Sequence, residues 1–168
     1  NAADFVTVST AAVTGFLDIR TDDVFTATSR GNDTATVNGV AAAGLRLATQ
    51  GGNDVVSVLN STCGDPPFGI GQLISFINTG AVTGADRDVV TITNTDFFGG
   101  VELTTGADRD FVTVTLSQAV GLSAIAVHTV IDLGAGDDYL NLSYNTVDDL
   151  ALIELIGVRG VKPMYCSA

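Results

Sequence analysis

Tryptophan is absent from this 168-residue chain, and lysine and histidine occur once each, as Lys162 and His128. Only 7 basic residues face 19 acidic ones, for a net charge of −12. No basic patch can form that would neutralise a run of phosphates, which excludes nucleic acid as a partner and disfavours anionic membrane surfaces. No apolar run approaches the roughly 20 residues that a membrane-spanning helix requires. Aromatics make up 7% of the chain although 46% of it is hydrophobic. Its core must therefore be built from small aliphatic side chains. The length suits one domain, residues 1–168. The chain opens on Asn1 rather than Met, which reads as a processed, secreted form.

What the chain does have is a repeat. Asp4, Asp33, Asp54, Asp88, Asp110 and Asp138 are each followed by a short alternating run: FVTVS, TATVN, VVSVL, VVTIT, FVTVT and YLNLS. The last five are each preceded by a tight-turn sequence containing glycine: RGN, GGN, GADR, GADR and GAGD. The second and fourth residues of every run are apolar, from Val6/Val8 to Leu140/Leu142, and a strand's period of two turns them inward. Between them Thr7, Thr36, Ser57, Thr91, Thr113 and Asn141 face outward. A second alternating strand type appears around Phe16–Arg20, Leu45–Leu47, Val101–Leu103 and Ile131–Leu133. The segment VDDLALIELI (147–156) reads as a final strand rather than a short helix.

Intervals of 29, 21, 34, 22 and 28 residues between the aspartates are those of a solenoid. The predicted fold is all-β: a single-domain parallel β-helix of about six coils with uncapped ends, right-handed because parallel crossovers favour that hand. Residues 60–80, with DPPFG at their centre, are expected to protrude as a loop, and 147–168 to form a terminal coil. Joining Ala168 to Asn1 of a second copy gives an interval of 34, equal to the longest inside the chain.

The Gly-Asp turns GGND, GADRD and GAGDD resemble repeats of bacterial secreted and cell-surface β-solenoid proteins, of which RTX-type repeats are relatives. The resemblance implies an extracellular or cell-surface protein. The units here are much longer than the nine-residue RTX unit, and Arg87 and Arg109 interrupt two turns.

Stacked carboxylates at Asp54, Asp86, Asp88, Asp108, Asp110, Asp137 and Asp138 form a candidate Ca²⁺ edge, since an oxygen-preferring cation would relieve their repulsion. The plainer role of such residues is to brace turns by side-chain to backbone hydrogen bonds. Arg20, Arg30, Arg46, Arg87 and Arg109 are candidates for the counter-charge. The outward hydroxyl column resembles the arrays of ice-binding solenoids, but Leu59 breaks its regularity. No catalytic set is expected, because His128 and Lys162 lie apart on different segments. Cys63 and Cys166 permit one disulfide, within a chain or between copies.

The functional expectation is an extracellular structural subunit that stacks head to tail into a filament. Its joint would be formed by Asn1, Asp4, Phe5, Val6 and Val8 at one end and Val161, Pro163, Met164 and Tyr165 at the other. The alternative is a calcium-binding module of a large adhesin or surface-layer protein. A polysaccharide-binding or polysaccharide-cleaving protein, with a glycan or cell-surface contact, is a third reading.

Overall fold

The computed structural model describes residues 2–21, 31–64, 73–80, 86–116, 128–144 and 153–156. Each repeat aspartate leads into a strand, because the β-branched alternating runs favour extended backbone with one face inward. These strands are β1 (Phe5–Ser9), β3 (Thr34–Asn38), β5 (Val55–Leu59), β8 (Val89–Thr93), β11 (Phe111–Leu116) and β13 (Tyr139–Tyr144). They pair in parallel, in that order, as a six-stranded sheet. The register is in phase with the aspartates: Val6, Ala35, Val56, Val90, Val112 and Leu140 align across it.

The second sheet has eight strands. These are β2 (Ala12–Arg20), β4 (Ala41–Ala48), β6 (Thr62–Cys63), β7 (Ser75–Asn78), β9 (Asp96–Phe97), β10 (Gly100–Thr104), β12 (His128–Asp132) and β14 (Ile153–Ile156). All its pairings are parallel too, but it forks at β4. The start of that strand pairs with β6, which continues to β9, while its end pairs with β7, which continues to β10, β12 and β14.

This corrects the expected single right-handed β-helix of about six coils with uncapped ends. The described residues form two parallel sheets of unequal strand number, one of them branched, rather than one uniform ladder. The cause lies in the long interval between Asp54 and Asp88. Two strands from that segment, Thr62–Cys63 and Ser75–Asn78, enter the second sheet beside different parts of β4. Residues 65–72, which contain DPPFG, and most of 147–168 lie outside the described residues. There is no helix among the described residues, and so none long and apolar enough to cross a membrane.

The core is one cluster of small aliphatics, including Val37, Leu45, Leu47, Val58, Ile77, Ile92, Leu103 and Leu140, all 1% exposed or less. Repeated stacking makes each contact replaceable in kind but not in volume. Ile92→Val, which removes one methylene from a site aligned with Val58 and Val114, is expected to cost about 1 kcal/mol. Urea unfolding reads that difference. Close stacking also fixes glycine at the turns: Gly134 has φ +72°, and a Cβ there would collide with the Gly106 carbonyl of the neighbouring repeat.

Candidate functional site

The repeat aspartates form one continuous hydrogen-bonded ladder. The backbone N–H of Asp4 donates to Asp33 Oδ1, that of Asp33 to Asp54, Asp54 to Asp88, Asp88 to Asp110, and Asp110 to Asp138, all at 2.8–3.0 Å. In return, the carbonyl of each aspartate accepts from the residue that follows the next one: Thr34 to Asp4, Val55 to Asp33, Val89 to Asp54, Phe111 to Asp88 and Tyr139 to Asp110. Adjacent repeats are thus closed by a two-bond clasp, and five clasps in a row join the six aspartates. A carboxylate suits this position because its short stem reaches one backbone amide a single strand spacing away.

Burial makes the ladder chemically unusual. Asp33, Asp54, Asp88, Asp110 and Asp138 are 4% exposed or less, whereas Asp4, which leads into the end strand β1, is exposed. Burial pushes the Asp88 carboxyl up to about 8, against the opposing pull of the Asp54 amide; the neighbouring Asp54 and Asp110 charges add to the rise. Asp110 is pushed up to about 6 by the same cause. Asp138 is also raised by burial, with Asp137 and Asp108 contributing as like charges. The second oxygens of Asp88, Asp110 and Asp138 are buried without a hydrogen-bond partner. The Thr79 hydroxyl lies near enough to temper the rise at Asp88, yet is not in hydrogen-bond geometry with it. Thr21, the counterpart of Thr79 two strand ends earlier, does donate its hydroxyl to Asp33 Oδ2.

Two further ladders flank this one. Asn32 Oδ1 accepts from the Asn53 amide, and Asn53 Oδ1 from that of Arg87. Where the chain leaves the six-stranded sheet, Asn94 donates to Asn60 and Asn60 to Asn38 through their side chains. Asn60 and Asn94 both have φ +49°, a left-handed conformation that asparagine tolerates better than most residues.

Of the seven aspartates expected as Ca²⁺ ligands, Asp54, Asp88, Asp110 and Asp138 join the ladder. Asp86 is buried beside it, while Asp108 and Asp137 are exposed at the turns. Among the described residues, no group of three or more His, Cys, Asp or Glu side chains is placed to hold a metal. Arg87 and Arg109, expected as counter-charges, instead lie over the Phe111 ring at 4.7 and 5.2 Å from its centroid. Arg20 and Arg46 both reach Asp18. Arg30 lies outside the described residues.

Cys63 is buried in the core, and burial pushes its thiol up to about 12 against the lowering effect of the Ser75 hydroxyl. Cys166, its candidate partner, lies outside the described residues, as do Asn1, Val161, Pro163, Met164 and Tyr165. Asp4, Phe5, Val6 and Val8 are described and form an outer edge of the six-stranded sheet.

Sequence reasoning assigned no site role to Asp33, although it occupies the same repeat position as Asp54. It also missed the threonines that end the second-sheet strands; their regular place before each turn was the available signal. No protein-family model matches the chain, and comparisons with curated proteins and with solved structures give no significant match.

Proposed function

We propose that the chain is an extracellular structural subunit that joins head to tail, strand edge to strand edge, into a fibre. One observation carries this reading: among the described residues the aspartate ladder ends at β1, with no strand paired on its outer side. Asp4 is exposed, whereas the next five aspartates are buried and each accepts from the preceding repeat. Val6 and Val8 are only half-buried, while their β3 counterparts Ala35 and Val37 are fully buried. Phe5 is 78% exposed. An edge strand with unpaired backbone and inward apolar residues is a template for another strand. A second copy fits it by repetition: its Asp138 amide would donate to Asp4, and the Phe5 amide would donate back to its Asp138 carbonyl. The extracellular placement rests on the Gly-Asp repeat resemblance.

Val6→Lys puts a charge on the inward side of the edge, and Asp4→Ala removes the acceptor of the joint. Sedimentation should show large species for the parent chain, none for Val6→Lys and fewer for Asp4→Ala. Assembly equal to the parent in both variants would rule out this edge as the joint. The same runs with chelator test calcium. Loss of the large species would assign Ca²⁺ to the turn aspartates Asp86, Asp108 and Asp137. Persistence would leave the hydrogen-bonded edges as the whole joint.

The edge has an alternative occupant, further repeats of one polypeptide in a larger adhesin or surface-layer protein. The parent chain would then stay monomeric.

A further inference from the structure

On the outer face of the second sheet, Ala48 is a small residue at the floor of a cleft of about 340 Å³ lined by Arg20, Arg46, Leu47, Ala48, Phe76 and Asn78. The strand register explains the hollow. Arg46 pairs across the sheet with Phe76, and Ala48 lies in the row between Arg20 and Asn78, where its methyl group leaves the space between longer neighbours unfilled. The Arg46 guanidinium lies 5.4 Å from the Phe16 ring centroid and 5.9 Å from that of Phe76, so two aromatic faces hold it at the rim. Arg20 is engaged by Asp18 through two bonds of 3.0 Å, and Arg46 reaches the same carboxylate at 3.9 Å.

Among the described residues the lining of the cleft carries two guanidiniums and no carboxylate; Asp18 is shared between them and Glu102 stands beside Phe76 on the following strand, so the two arginines make a local cationic spot on a chain of net charge −12. Exposed ion pairs of this kind contribute little stability and yield readily to a competing anion. The remaining lining suits a sugar: Phe76 offers a flat apolar face, and the Asn78 amide offers both a donor and an acceptor for hydroxyls. A doubly charged phosphate would demand more free cation than the cleft holds.

We propose that this cleft binds a uronate, a sugar unit bearing a single carboxylate, with Arg46 and Arg20 on the carboxylate, Phe76 against the ring and Asn78 on a hydroxyl. The site lies on a sheet face and does not depend on the head-to-tail reading.

Calorimetric titration with a glucuronate disaccharide tests it, on the parent chain and on the Val6→Lys variant, so that failure of assembly and failure of binding are read separately. The expected result is binding to both proteins, weakened at least about tenfold by methyl esterification of the ligand and by Arg46→Ala or Phe76→Ala. Arg46→Lys, which keeps the charge but loses the fork, should fall between. Asp18→Asn should tighten binding severalfold by freeing both guanidiniums, an effect that a purely structural role for Asp18 would not produce. Absence of binding at millimolar ligand, or equal binding of acid and ester, overturns the proposal. Acetate binding as well as the disaccharide overturns its sugar component.

Discussion

Replacing Asp88 by alanine should destabilise the fold by about 3–5 kcal/mol, whereas Asp88→Asn should cost less than about 1 kcal/mol near neutral pH. Asp88 is fully buried at the middle of the ladder, where its Oδ1 accepts from the Asp54 amide at 2.9 Å. Alanine removes that acceptor and leaves a cavity between two turns. Asparagine keeps an oxygen at the same place, and its amide nitrogen takes the position of a carboxylate oxygen that has no partner. With burial holding the Asp88 carboxyl at about 8, its neutral form predominates in the folded protein at pH 7, and asparagine imitates that form. Urea unfolding of the three proteins measures the differences. Equal losses for Ala and Asn would mean that the negative charge itself is required, and the account of Asp88 as a neutral acceptor would fail.

Stability should fall steadily as pH rises from about 4 to about 9, by several kcal/mol in total. Asp88 and Asp110 titrate at about 8 and about 6 in the folded chain, both above the ordinary carboxylate value of 3.8. A carboxyl whose folded-state value is raised binds its proton more tightly in the folded state. Its contribution is therefore fully present below 3.8 and is lost as pH rises through the folded value. The Asp110 contribution fades through pH 6 and that of Asp88 through pH 8. Asp138 is shifted in the same direction and adds to the trend. Asp88→Asn lacks the upper step, so its melting temperature should overtake that of the parent chain above about pH 8. A parent melting temperature that climbs between pH 5 and 9 would contradict the assigned shifts. The same titration lowers the repulsion between copies as pH falls towards the pI of 4.1, so assembly should be favoured by mild acid.

Much of the six-stranded sheet was legible in the sequence, because its signal is repeated. The twelve apolar positions after the aspartates align across the sheet; ten are buried and only Val6 and Val8, on the outer strand, are partly open. The second sheet was legible only where strands are long enough to show alternation. Thr62–Cys63 and Asp96–Phe97 are two residues each, too short for any period to appear, and Ser75–Asn78 lies in the longest interval with no turn motif to mark it. These three strands make the sheet branch, and so the single β-helix expected from the repeat was not what formed. The chemistry of the turns was partly hidden for a different reason. Spacing shows that carboxylates stack, but it does not reveal whether they face one another, a cation or a backbone amide. Here one oxygen of each buried aspartate from Asp33 to Asp138 is taken by the preceding repeat's N–H. The Arg46 cleft had no sequence signal at all, because it depends on Ala48 lying between longer side chains two strands apart.

The most direct test of the structural-subunit account is electron microscopy with fibre diffraction on the assembled parent chain. Six parallel strands spaced about 4.8 Å apart predict thin, unbranched fibres with a 4.8 Å meridional reflection and an axial rise near 29 Å per subunit. Dispersed short particles at every pH and salt concentration, or fibres whose repeat is not close to that rise, would contradict it.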